Sequence, residues 1–368
     1  MKIVFLIDHI YLHGGIEKVL AEKANYFSEI LNYDVSILTT QQENLPSCYP
    51  LSNKIKLIDS SVNYNRDKSY FHFSNLKKIV FHFIKRRKIL KKINPNFVIL
   101  ANYDFDFYWI PFIHKSSKKI KEFHNSQFSR KEEISSFVKK IVYKINCYIE
   151  SKYDAIVVLN KDEQSFFKTT NTVVIPNPIS IPDYKSKLDK KQVLAAGRIA
   201  PVKGFDRLIK IWKKVVEENP NWELHIYGED YLKTQSKLEE QIKKIGLEKS
   251  ILFKGISSNM TKTMLDYSMY LMTSYTESFS IVIVESFSVG IPVVAFNVPT
   301  GPRNLITNNV DGFLIENNNL DNFSKTVNNL IKDRDKRITM GVEAKKNSLN
   351  FASVNIMDKW SKLFTKLI

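Results

Sequence analysis

Glycine placement constrains this chain more than any other feature, because only eleven of the 368 residues are glycine. The first 196 residues hold two, adjacent to one another, Gly14-Gly15. They stand between an apolar run at residues 2 to 7 and the helical repeat Val19, Leu20, Lys23, Ala24 and Phe27. Glycine tolerates tight turns and close backbone approach, so the spacing predicts a strand, a glycine turn and a helix. Further strands are predicted at 35–39, 97–101 and 155–159, which makes residues 1–178 a parallel α/β domain with helices on both faces.

The segment Ile175-Pro176-Asn177-Pro178, then Ile181-Pro182 and a polar run to Lys191, has no helical period and reads as a domain boundary. A second α/β alternation follows, with a strand at 193–196, a helix at 205–218 and a strand at 224–227 ending in Gly228. The chain is long enough for two cores, and 43% hydrophobic residues supply both. The second domain is placed at 179–355. Residues 356–368, with Trp360, Leu363, Phe364 and Leu367, read as a short helix.

The formal charge is +17. Residues 1–184 carry 27 Lys and Arg against 18 Asp and Glu, and eight of the cations fall between Leu76 and Lys92, where there is no acid. Leu76, Ile79, Val80, Phe83 and Ile84 repeat there at helical spacing, which predicts an amphipathic helix with a basic exposed side. Such a helix suits an anionic membrane surface or an anionic lipid-linked substrate; a solvated face in a lysine-rich protein is the plainer alternative. Nucleic acid is not expected as a partner, because no aromatic-interleaved patch or reading motif accompanies the charge. Cys48 and Cys147 fit no metal spacing and no disulfide scaffold, which suggests a reducing cytoplasm. The apolar start is too short for a signal-peptide core, and no run approaches membrane-spanning length, so a soluble or inner-face peripheral protein is expected.

Two elements of the second half carry chemistry. In Gly197-Arg198-Ile-Ala-Pro-Val-Lys203-Gly204, a strand ends, a loop turns through Pro201 and a helix starts. Backbone amides at a helix start attract phosphate, and Arg198 and Lys203 add charge. In Glu277-Ser-Phe-Ser-Ile-Val-Ile-Val-Glu285, Ser280 is placed to cap a helix over 281–289 that Gly290 and Pro292 stop, ahead of a strand at 292–296. Glu277 then lies in the loop after a strand at 270–274, and Glu285 lies one turn inside the helix among apolar neighbours. Carboxylates there can accept hydrogen bonds from sugar hydroxyls. The pair Asp104-Phe-Asp106 resembles a metal-diphosphate ligand in form, but the short pattern is better read as a loop that touches acceptor.

These motifs, with Gly14-Gly15-Ile-Glu17 and Pro176-Asn177, resemble glycosyltransferase family 4, retaining enzymes of the GT-B fold. The resemblance covers nearly the whole chain and is most specific from Gly197 to Gly312. It implies two Rossmann-like domains with parallel sheets facing across a cleft, an amino-terminal acceptor domain to which 356–368 returns, and a carboxyl-terminal donor domain. It implies that Arg198 and Lys203 bind the donor diphosphate, Glu285 the ribose and Glu277 the transferred sugar. Gly255, Ser278, Phe279, Ser280 and Ile281 would line the donor site, while Gly15 and His124 would reach the donor from the first domain. The stretch Pro299-Thr-Gly-Pro-Arg-Asn-Leu-Ile306 looks like a variant of bacterial surface-polysaccharide members. Two departures stand out: Ser278 replaces a frequent glycine, and Gly228-Glu229-Asp230 replaces a common Gly-x-Gly turn.

The expected reaction is sugar transfer with retention from a nucleotide diphosphate donor, UDP-linked by expectation, to a glycan or lipid-linked acceptor in capsule, lipopolysaccharide or related polysaccharide synthesis. No metal or cofactor is expected, because Arg198 and Lys203 would neutralise the leaving diphosphate. A UDP-sugar epimerase of the same architecture and a non-catalytic membrane- or partner-binding protein are the alternatives. An NAD oxidoreductase is disfavoured, since Gly14-Gly15 lacks G-x-G-x-x-G.

Overall fold

A computed structural model describes residues 1–65, 68, 72–128 and 136–368. The chain divides into two compact units, residues 1–178 with 356–368, and residues 179–355.

The first unit is a seven-stranded parallel sheet. Its strands are β1 (Lys2–Ile7), β2 (Asp34–Thr39), β3 (Lys56–Asp59), β4 (Phe97–Leu100), β5 (Lys118–Glu122), β6 (Ala155–Val158) and β7 (Thr172–Val174), in the order β3-β2-β1-β4-β5-β6-β7. The helices are α1 (Gly15–Glu29), α2 (Phe73–Ile93), α3 (Asp106–Trp109), α4 (Phe137–Glu150) and α5 (Lys161–Gln164). Strand alternation gives each sheet face its own core. Ile3, Phe5 and Ile7 pack with Leu20, Ala24 and Phe27 of α1 and with Ile356, Trp360 and Phe364 near the carboxyl terminus. Val4 and Leu6 pack on the opposite face with Leu90 of α2, Phe107 of α3 and Ile149 of α4.

Strand β5 escaped the sequence reading because Lys-Lys-Ile-Lys-Glu has no apolar run. Lys119 and Lys121 are nevertheless buried. Lys121 Nζ donates to the carbonyls of Asn102 at 2.5 Å and Glu122 at 2.7 Å, which satisfies the ammonium that burial would otherwise penalise.

Helix α2 covers the predicted basic segment but is turned differently from the expectation. His82 and Arg86 are buried, whereas Leu76, Val80 and Ile84, assigned to the inner face, are exposed. The cause is Asp106. Arg86 Nη2 lies 2.7 Å from its Oδ2, His82 Nε2 lies 3.4 Å away, and the Trp109 indole donates to Oδ1 at 2.8 Å. One buried carboxylate thus draws the polar residues of the helix inward. The same network removes Asp104-Phe-Asp106 from the acceptor role it was given: Asp106 is fully buried, and its backbone N–H donates to Asp104 Oδ1 at 2.8 Å.

The second unit is a six-stranded parallel sheet. Its strands are β8 (Gln192–Ala196), β9 (Glu223–Tyr227), β10 (Ile251–Phe253), β11 (Met269–Met272), β12 (Val293–Asn297) and β13 (Gly312–Glu316), in the order β10-β9-β8-β11-β12-β13. Its helices are α6 (Phe205–Glu218), α7 (Thr234–Lys244), α8 (Met260–Thr263), α9 (Ile281–Ser288), α10 (Leu320–Lys332) and α11 (Arg334–Ser348). The last helix, α12 (Ser353–Leu367), starts three residues before the predicted one. Trp212 of α6 and Phe323 of α10 anchor a core with Val193, Leu224, Leu271 and Val294. The two parallel α/β units have the GT-B architecture.

Candidate functional site

In the second unit the strand order reverses between β8 and β11, since the chain leaves β8 toward β9 on one side and leaves β11 toward β12 on the other. Open parallel sheets bind ligands outside the carboxyl ends of the strands at such a point. Gly197 and Arg198 directly follow β8, and Glu277 lies in the loop after β11.

The loop after β8 runs through a 3-10 turn at Pro201–Lys203 and enters α6 at Gly204. Gly204 has φ +66°, and a Cβ there would stand 2.0 Å from the Thr273 carbonyl oxygen. Glycine therefore lets the start of α6 press against the loop leaving β11. Lys203 Nζ donates to Glu277 Oε1 at 2.6 Å, and Ser274 Oγ donates to the same oxygen at 2.8 Å. The Lys203–Glu277 pair remains partly open, with side chains 25% and 11% exposed. Arg198 is exposed, its guanidinium 5.3 Å from the Tyr231 ring centre. Both cations are held by interactions that an anionic ligand can exchange.

Helix α9 starts after Ser280, and Gly290 follows its end with φ +73°. Ser280 makes no side-chain capping bond, contrary to expectation, and stands near the Tyr270 phenol. Tyr270, on β11, was not singled out from sequence, where it read as one more apolar strand residue. Its hydroxyl donates to the Ala196 carbonyl at 3.1 Å. Burial, followed by the nearby charges of Glu277 and Glu285, pushes the phenol well above its ordinary range. Glu285, 3% exposed on α9, thus shares one buried hydroxyl's surroundings with Glu277. Ser278 and Phe279 are buried beside them and Ile281 is half-buried. Gly255, after β10, accepts from the Gly228 N–H at 2.8 Å.

Arg207 was also missed, because a charged residue in an amphipathic helix reads as solvated. It is 3% exposed and donates to the Thr273 carbonyl at 2.6 Å and to Asn317 and Asn318 Oδ1 at 2.9 and 2.6 Å. Its guanidinium lies 4.1 Å from the Tyr275 ring centre and 4.2 Å from that of Phe296. It fixes the loop that carries Glu277.

The first unit has its own reversal point, between β1 and β4. A cavity of about 530 Å³ opens there, lined by Asp8, Asn102, Tyr103, Glu122, His124 and Asn146 among others. The His124 side chain is 5% exposed, with Nε2 3.7 Å from Glu122 Oε2. Burial lowers the His124 pKa, partly offset by Glu122. Glu122 also pairs with the buried Lys23. Burial opposes its ionisation, but Lys23 and His124 hold Glu122 down to about 2. Burial likewise brings Lys121 down to about 7, against the pull of Asp104, Glu122 and Glu150. Gly15 forms the first residue of α1, and a Cβ there would meet open space. Among the described residues no group of three or more His, Cys, Asp or Glu could hold a metal ion.

Residues 177–347 match the family model of glycosyl transferases group 1. An uncharacterized glycosyltransferase of Haemophilus influenzae is 27% identical over 98% of both chains. An amylovoran biosynthesis glycosyltransferase, AmsD of Erwinia amylovora, is 26% identical over 98% of this chain and 99% of its own length. A solved structure of a Staphylococcus aureus TarM mutant in complex with fondaparinux, alpha-GlcNAc-glycerol and UDP superposes with a TM-score of 0.79, 17% identity and 99% coverage of both chains. The match over residues 177–347, the full-length relatives and the two-unit fold together support a glycosyltransferase of GT-B architecture.

Proposed function

We propose that this protein is a retaining glycosyltransferase of family 4 that moves a sugar from a UDP-sugar to a glycan or lipid-linked acceptor in the synthesis of a bacterial cell-surface polysaccharide. The observation that carries this reading is the Lys203–Glu277 pair, 2.6 Å apart and part-exposed at the strand reversal of the second unit. A donor diphosphate would draw Lys203 from the carboxylate and free Glu277 to accept hydrogen bonds from the sugar hydroxyls. Arg198 would supply the second positive charge, so that charge growing on the departing diphosphate is neutralised without calling for a metal. Glu285 would hold the ribose, with Gly255 and residues 278–281 around the nucleotide.

Gly15 and His124 are the groups the first unit would bring to the reacting sugar. Retention would come from acceptor attack on the face the diphosphate leaves, and Glu277 would orient the sugar rather than attack it. UDP in the TarM complex and the amylovoran relative favour the UDP-sugar and polysaccharide assignments. The exposed Lys77, Arg87, Lys88, Lys91 and Lys92 of α2 would meet an anionic membrane surface.

Calorimetry with UDP, GDP and ADP in EDTA tests the donor site. Selective UDP binding, weakened about 10- to 100-fold by Arg198→Ala, is the expected result, since a charge-assisted contact contributes roughly 1.5–3 kcal/mol. Failure of a folded sample to bind any of the three would overturn the assignment.

A further inference from the structure

Helix α4 was not read from the sequence, and it carries an apolar face that is exposed among the described residues. Phe137, Val138, Ile141, Val142, Ile145 and Tyr148 repeat at helical spacing, and all six are exposed, from 43% at Ile141 to 78% at Phe137. Only Ile149 and Glu150, at the end of the helix, are buried. Such a stripe normally marks an interaction surface. Its borders are cationic: Lys139, Lys140 and Lys144 are exposed, and the only acid of the helix, Glu150, is among the buried residues.

Helix α2 repeats the pattern on the same sheet face, since Leu90 of α2 and Ile149 of α4 share one core layer. Its exposed side is apolar at first, through Phe73, Leu76, Val80 and Ile84, and basic afterwards, through Arg87, Lys88 and Lys91. In a parallel sheet a helix starts from the carboxyl end of the strand before it. The apolar beginnings of both helices therefore stand toward the sheet end where the cavity of the first unit opens, and Asn146 of α4 lines that cavity.

We propose that the exposed faces of α4 and α2 dock on an anionic lipid bilayer, with the apolar stripes entering the headgroup boundary and the lysines meeting lipid phosphates. Charge selects this occupant. A second copy of the same face would set Lys139, Lys140 and Lys144 against their own counterparts, whereas anionic headgroups satisfy both the apolar and the basic parts at once. No described helix is long and apolar enough to cross the membrane, so docking is at the surface. Docking would also turn the cavity lined by Asn146 toward the lipid, placing it to receive the sugar end of a lipid-linked acceptor. That last step rests on the proposed function; the docking itself rests on the helices.

The test is flotation of the full chain with vesicles of equimolar phosphatidylglycerol and phosphatidylethanolamine, and with vesicles of phosphatidylcholine alone. Wild type is expected to float with the anionic vesicles. I141S/I145S is expected to partition about tenfold or more weakly, and K140Q/K144Q to lose the part of binding that added salt also removes. UDP binding of both variants is measured alongside and is expected to match wild type, which shows that they fold. Flotation of I141S/I145S equal to wild type overturns the proposal. So does a wild-type dimer that ignores vesicles and becomes monomeric in I141S/I145S, which makes the stripe an interface between copies. If wild type floats but binds no UDP, the docking surface stands and the donor reading fails.

Discussion

The two strand-reversal points of this molecule have the same topology and opposite electrostatics. In the second unit the Lys203–Glu277 pair and Arg198 over Tyr231 are open to solvent and bound by exchangeable contacts, with Glu285 and Arg207 buried behind them. In the first unit the cavity is built on buried groups bound to one another, with Lys23, Glu122 and His124 in one chain and Lys121 on backbone carbonyls, while His9 and Glu17 form a part-exposed pair beside them. A half-exposed cation can trade its partner for a phosphate at little desolvation cost, whereas a buried pair holds geometry and loses heavily when broken. One point is suited to an incoming anion, and the other to presenting fixed groups to a neutral polyol.

The sharpest way to break this contrast is to remove a buried charge and ask whether the other unit notices. Arg86→Met leaves Asp106 buried without its guanidinium, and breaking such a pair costs about 3–5 kcal/mol. Urea unfolding should show that loss, and UDP affinity in the surviving folded fraction should stay at the wild-type value. A loss of UDP affinity equal to that of Arg198→Ala would refute the separation of roles.

On the exchangeable side, Lys203→Ala removes a charge-assisted contact of roughly 1.5–3 kcal/mol, so calorimetry should show UDP bound about 10- to 100-fold more weakly. Global stability should barely change, because a part-exposed pair contributes on the order of 1 kcal/mol or less. The contrary pattern, large destabilisation with intact UDP affinity, would make the pair structural.

The buried lysine gives a pH signature that belongs to the first unit. Lys121 has a folded pKa of about 7, lowered by burial from 10.5. Between those values the unfolded chain binds more protons than the folded one, so stability rises with pH, by at most about 1.4 kcal/mol per unit from this group. Glu122 works at the acid end: its depressed pKa stabilises above pH 4.5, and that contribution is lost as pH falls toward 2. Denaturation midpoints from pH 6 to 10 should climb in wild type and climb less steeply in Lys121→Met, where Lys119, lowered by burial to about 8, and Lys23, also lowered by burial, still contribute, while Arg198→Ala should follow wild type.

The same contrast decides what the sequence made legible. Helix 205–218, the α9 stop at Gly290 and the β1-glycine-α1 unit were readable because local pattern and tertiary role agree there. Arg198, Lys203, Glu277 and Glu285 were readable as a set because glycine and charge recur at short spacing in one loop or helix. Strand β5 was not, since its lysines are buried against the carbonyls of His114, Ser117, Asn102 and Glu122, which no local pattern announces. Arg86 and Arg207 were misread for a related reason. Their partners, Asp106 and the carbonyl of Thr273, lie 20 and 66 residues away, and no local pattern marks a cation that will be drawn inward. The exposed apolar side of α2 follows from the same cause, whereas the apolar residues of α4 mostly face away from the core that Ile149 joins.

The smallest effect sharpens the comparison inside the second unit itself. Tyr270 is buried near the charges of both glutamates of the site, and its hydroxyl donates to the Ala196 carbonyl where β8 ends. Tyr270→Phe keeps the ring packed and removes only the hydroxyl, so unfolding free energy should fall by about 1 kcal/mol, the net value of one such bond. If the hydroxyl only braces β8 against β11, UDP affinity will be unchanged. If it sets the positions of Ser280 and Glu285, UDP affinity will fall a few-fold while turnover at saturating donor stays near wild type, because ribose contacts act on ground state and transition state alike. The second pattern is the expected one, since Ser280 and Glu285 both stand near the phenol and the start of α9 has no side-chain cap of its own to fix it. A helix start without a side-chain cap keeps amides that can take an anion, so a shift of Ser280 would be read at that end of α9.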